Sequence, residues 1–292
     1  MILNNKNKRK IRDGLLKSKC IVETGVGGAL SLLDPTGILG EGVKKGIDLV
    51  INKIADEFDT RKLTELESER VKEVMVLAVE KIERNILEGK SLRDDGFFYA
   101  NLNDRSDGEE IFEAIIISSQ REAQKMKLKF YANLLANIGF CTNISSDEAI
   151  QIISFSERLS YRQCLLMTAI FMNTAQYRMM GKASILADKF ITDVTEKEIP
   201  YERVSLYQDV LELYRMGLIF ECRGNMILTI GQINLHSIIT GGIGDKIVEL
   251  MELDRVMDNE HTEKHLEDFV NILKMIKDSR FEIVDYGHFV AR

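Results

Sequence analysis

Residues 109–138 carry an apolar stripe at helical spacing that most constrains the fold. Ile111, Ile115, Ser119, Ala123, Met126, Phe130, Leu134 and Ile138 recur every three or four positions, and Phe112, Ile116 and Leu135 widen the stripe. That period predicts one long amphipathic helix, with Arg121, Glu122, Lys125, Lys127 and Lys129 on its outward side. Ser106 or Asp107 is placed to cap it, Glu109 and Glu110 suit the dipole of its first turn, and Gly139 is a natural stop. Only Pro35 and Pro200 are prolines in 292 residues, there is no Trp, and Leu, Ile, Glu, Lys and Met abound. Such a chain favours helices, because proline breaks them and straight side chains lose little entropy in them. The expected class is mainly α: a helical domain followed by a winged-helix-like domain with a small β-hairpin.

Four regions are expected. Residues 1–58 form a basic arm and a Gly-rich amphipathic segment; 59–143 a helical domain built on the 109–138 helix; 144–240 a winged-helix-like domain; 241–292 a C-terminal helical extension. The arm has Lys6, Lys8, Arg9, Lys10, Arg12, Lys17 and Lys19 against one acid, Asp13. The following glycine-rich, apolar stretch turns at Asp34-Pro35-Thr36-Gly37. It reads either as two short helices packed through small residues or as a segment that lies on a membrane. Residues 62–88 read as a long helix, and 89–108 as a loop.

Further along, helices are expected over 147–157, 161–174, 182–190 and 203–216, the last ending at Gly217. Leu218–Cys222, the turn Arg223-Gly224-Asn225 and Met226–Ile230 read as a hairpin, with a short helix over 232–239. Thr240–Gly244 reads as a hinge, 245–278 as a helix offering a dimer seam, and the tail RFEIVDYGHFV as a strand.

Leu211, Tyr214, Gly217, Leu218, Ile219, Leu228, Thr229 and Gly231 carry the match to a pattern of helix, glycine, two-stranded wing and a closing phrase like Leu-Thr-x-x-Gly. Over about residues 150–240 this resembles the winged-helix domains of bacteria. The run SSQREAQKMKLKFYANLLANIGF, with LSYRQCLL after it, resembles a group of uncharacterised bacterial helical proteins and, more weakly, the abortive-infection alpha family of phage defence. Where that family carries a Trp before paired leucines, this chain has Phe130-Tyr131 before Leu134-Leu135. The resemblance implies a role in antiviral defence and supplies no catalytic residue.

The candidate chemistry is thin. His261 and His265 share a helix face, but Glu263 follows the first histidine by two positions and not one, so it turns away from that face, unlike the zinc-protease arrangement. His236 and His288 stand alone, and Ser118-Ser119 lack a nucleophile elbow. Gly37–Gly42 and Gly241–Lys246 miss the spacings of phosphate loops and read as close-packing sites or hinges. Cys20, Cys141, Cys164 and Cys222 form no CxxC pair and read as reduced core residues of a cytosolic protein. No catalytic, metal or cofactor-binding residue and no small-molecule substrate is indicated.

A net charge of −7 disfavours a general nucleic-acid binder, although Arg203, Arg215 and Arg223 are the positions that would contact DNA if the winged helix read it. Those arginines are interspersed with Glu202, Asp209 and Glu212. No uninterrupted apolar run is long enough to span a bilayer. The expectation is therefore a non-enzymatic helical interaction protein, cytoplasmic or peripherally membrane-associated, that binds a protein partner or a second copy. The alternatives are a membrane-acting effector using residues 21–43 and a DNA-binding regulator.

Overall fold

A computed structural model describes residues 64–99, 106–180, 201–221, 238–257, 267–268, 271–272, 281–284 and 288–291. The described residues are mostly helical. The chain divides into two compact units, 1–153 and 154–292. The expected segments 1–58, 182–190, 223–230 and the pair His261/His265 lie outside the described residues. None of the described helices is long and apolar enough to cross a membrane.

The first unit contains α1 (Glu65–Leu87), α2 (Asp107–Arg121), a 3-10 turn (Lys125–Lys127), α3 (Leu128–Ile138) and most of α4 (Ser146–Arg158). Thr64 starts α1 through a capping box with Glu67, and Ser106 starts α2 through one with Glu109. Each box satisfies orphan amides at the helix start with a serine or threonine oxygen. In α2 the acids Asp107, Glu109 and Glu110 then face the positive end of the dipole.

The single helix expected over 109–138 is two helices. α2 stops at Arg121, and Glu122 takes an extended conformation, φ −66° and ψ 116°. Two local causes are visible. Ser118 and Ser119 donate their hydroxyls back to the carbonyls of Ala114 and Ile116, a competitor to the helix ladder. The Glu122 carboxylate then accepts the Gln124 amide at 2.7 Å and the Lys127 ammonium at 2.5 Å, which staples the connection. The reward is burial. Both α2 and α3 pack on α1 and on each other, whereas one straight helix of some 30 residues would extend about 45 Å.

α3 is the centre of this unit. Leu128, Phe130, Tyr131, Ala132, Leu134, Leu135, Ala136 and Ile138 are all buried, as is Asn133, so the helix is enclosed on nearly every side. Asn85 of α1 donates to Asn137 of α3 at 2.9 Å, which meets a polar need inside the α1–α3 contact. Lys127 was expected to face outward. It is instead 1% exposed, paired with Glu122 and set 5.4 Å above the Tyr131 ring. Its length lets the ammonium reach Glu122 from the closed end of the connection.

The loop before α2 is anchored by aromatic rings. Phe97, Phe98 and Phe112 contact one another, and the Arg93 guanidinium lies 4.1 Å over Phe97. Arg93 also holds Asp95 and the Ile144 carbonyl. Gly108 lets the Phe97 carbonyl accept its amide at 2.8 Å.

The second unit is organised on α5 (Tyr161–Met180), with α6 (Tyr201–Arg215), β1 (Ile219–Glu221), β2 (Ile238–Thr240), α7 (Ile243–Met251), a 3-10 segment (Leu253–Met257), β3 (Phe281–Val284) and β4 (His288–Ala291). β1 and β2 are antiparallel, with Ile219 opposite Thr240 and Glu221 opposite Ile238. β3 and β4 form a second antiparallel pair, so the tail expected to add one strand adds two. Of the helix expected over 232–239, residues 232–237 lie outside the described residues, and Ile238 and Ile239 are in a strand instead. α5 packs against β2, the 3-10 segment, α6 and α7.

α6 ends in a complete Schellman motif: Gly217, φ +70°, donates to Tyr214, Leu218 donates to Leu213, and both leucines are buried. The long helix expected over 245–278 breaks at Glu252, whose left-handed φ of 52° ends α7. That turn buries Leu253 and lets its carbonyl accept the Thr168 hydroxyl of α5 at 3.0 Å. A strained residue is thus held by tertiary contacts.

Two predictions follow from this packing. A Cβ on Gly244 would meet the Leu218 carbonyl oxygen at 2.0 Å, with backbone on both sides. Gly244→Ala is therefore expected to cost at least about 3 kcal/mol in urea unfolding; a loss below about 1 kcal/mol contradicts the close approach of α7 to the Leu218 backbone. Lys127→Met leaves the Glu122 carboxylate enclosed without its cation, and is expected to cost about 3 kcal/mol, most of it recovered in the Glu122→Leu/Lys127→Met double variant. Additive losses in the double variant would show that the two side chains are not coupled.

Candidate functional site

The densest polar constellation among the described residues lies where the start of α5 meets α6. Ser160 and Gln163 cap α5 reciprocally: the Ser160 amide donates to the Gln163 side chain, and the Gln163 amide to Ser160 Oγ. This box fixes Tyr161, Arg162 and Gln163 in the first turn. Ser205, Asp209 and Glu212 stand one turn apart along α6, so they share one side of it.

The contacts follow from that register. Arg162 Nε donates to Asp209 Oδ2 at 2.5 Å, and its Nη2 donates to Ser205 Oγ at 2.5 Å. Gln163 Nε2 donates to Asp209 Oδ1 at 3.2 Å and to Glu212 Oε2 at 3.4 Å. Both oxygens of the Asp209 carboxylate are therefore engaged. Burial pushes the Asp209 carboxyl above its usual range, and Arg162, although it pulls the other way, does not offset it. Tyr161 is pushed well above the ordinary phenol range by burial first, then by the negative charge of Asp268.

This arrangement clamps two helices. It holds no nucleophile beside a base, and its one guanidinium, 41% exposed, already serves Asp209 and Ser205. Among the described residues no three metal-capable side chains gather. Ser118 and Ser119 donate to carbonyls of their own helix. Cys164 is a buried thiol outside any disulfide, and Cys141 is half-buried, its thiol against Asn143. The Gly241–Lys246 segment is a packing device: Gly242 takes φ 55°, Gly244 touches Leu218, and Lys246 pairs with Glu249 at 3.2 Å.

Arg203 and Arg215 are both on α6, and Arg215 is exposed near its end. Twelve residues separate them, which places the two positions about 120° apart around the axis and about 18 Å apart along it. The exposed positions nearest Arg215 are Gln208 and Glu212. Arg223 lies outside the described residues.

In the sequence, Asp209 stands out only as an acid near the arginines. Its partner, Arg162, is 47 residues away, and nothing in either segment alone links them. The one local signal is the Ser-x-x-Gln box at 160–163, which fixes where α5 starts. No family model, curated protein or solved structure matches the chain.

The charge state of Asp209 makes a pH prediction. A carboxyl whose pKa is higher in the folded chain binds its proton more tightly when folded, so this group's contribution to stability falls as pH rises from the usual carboxylate range through the raised value. Asp209→Asn keeps a neutral hydrogen-bonding group there. Its unfolding free energy at pH 7 is expected within about 1 kcal/mol of the parent chain, and the gap between the two curves should move in the variant's favour as pH rises from 4 toward 7. A gap moving the other way would show that the Arg162 pairing, and not burial, governs Asp209.

Proposed function

We propose that the chain is a non-enzymatic helical interaction protein whose second unit is winged-helix-like and uses its sheet side to bind a second copy of itself. The observation that supports this is the outer face of the β1–β2 ladder. Ile219 and Glu221 turn inward, while Phe220 between them is 45% exposed. Phe220 pairs across the ladder with the half-buried Ile239, and its ring lies where a Cβ on Gly241 would approach to 3.2 Å. An exposed aromatic backed by an aliphatic neighbour and a glycine is the kind of anchor that carries binding energy between proteins. The best-formed charged groups meanwhile serve architecture: Glu122 with Lys127, Arg93 with Asp95, Arg162 with Asp209.

The winged-helix reading draws on the order α5, α6, β1 and on the glycine-ended α6 that leads straight into a strand. A DNA-reading use of α6 has less support, because Asp209 and Ser205 are engaged by Arg162 and the exposed positions mix Gln208, Glu212 and Arg215. The resemblance of residues 118–140 to abortive-infection proteins makes phage defence the setting we propose for this self-association.

Sedimentation of the full chain tests the reading. The parent is expected to show a concentration-dependent dimer, and Phe220→Glu to weaken it at least tenfold, about 1.4 kcal/mol, with unchanged circular dichroism. A parent chain that stays monomeric up to about 100 μM, a concentration at which even weak specific contacts register, contradicts it.

A further inference from the structure

We draw no further inference here: the strongest candidate beyond the β1–β2 face, the polar cluster where the α2 and α4 starts meet through Asp107 and Ser146, consists of acids that suit their own helix dipoles, and nothing in the structure points to a ligand there.

Discussion

The burial of α3 on nearly every side is the constraint from which the first unit follows. An eleven-residue helix with Leu128, Phe130, Tyr131, Leu134, Leu135 and Ile138 all enclosed needs neighbours all round. α1 and α2 provide them because the helix is broken between α2 and α3. The break places Lys127 and Glu122 in a nearly dry corner, where either alone would be costly. Their pairing, together with the Asn85–Asn137 bond, lets the core close without an isolated charge.

The second unit solves the same problem with different chemistry. α5 is its spine, and two of its first residues reach neighbours through polar atoms: Arg162 to Asp209 and Ser205, Gln163 to Asp209 and Glu212. Deeper along α5 the contact becomes apolar, and Thr168 fastens Leu253 from inside. Such a gradient, polar at the rim and apolar within, suits one fixed orientation of α6 on α5, because a satisfied polar network penalises other registers.

Much of this was legible from the residues. The helix start at Ser106 and the end of α6 at Gly217 are local events, written in a few adjacent side chains, and each is where the pattern puts it. What could not be read were features settled by distant partners. The apolar stripe runs unbroken through Ala123 and Met126, so periodicity alone joins α2 to α3; the break depends on how much surface the fold gains elsewhere. Lys127 looks solvated until Glu122 folds back. Ile238 and Ile239 have no local mark that sets them opposite Phe220 and Glu221, and Glu252 enters a left-handed conformation only because Leu253 is drawn onto α5.

The account rests on α3 being a separate, enclosed helix, and residue-resolved hydrogen exchange of the intact chain measures that directly. Amides of 128–138 should be among the slowest in the first unit, while those of the exposed stretch 123–125 exchange fast, separating two protected blocks. Uniform protection from 107 through 138 would mean one continuous helix, and would contradict both the Glu122–Lys127 staple and the core built around it.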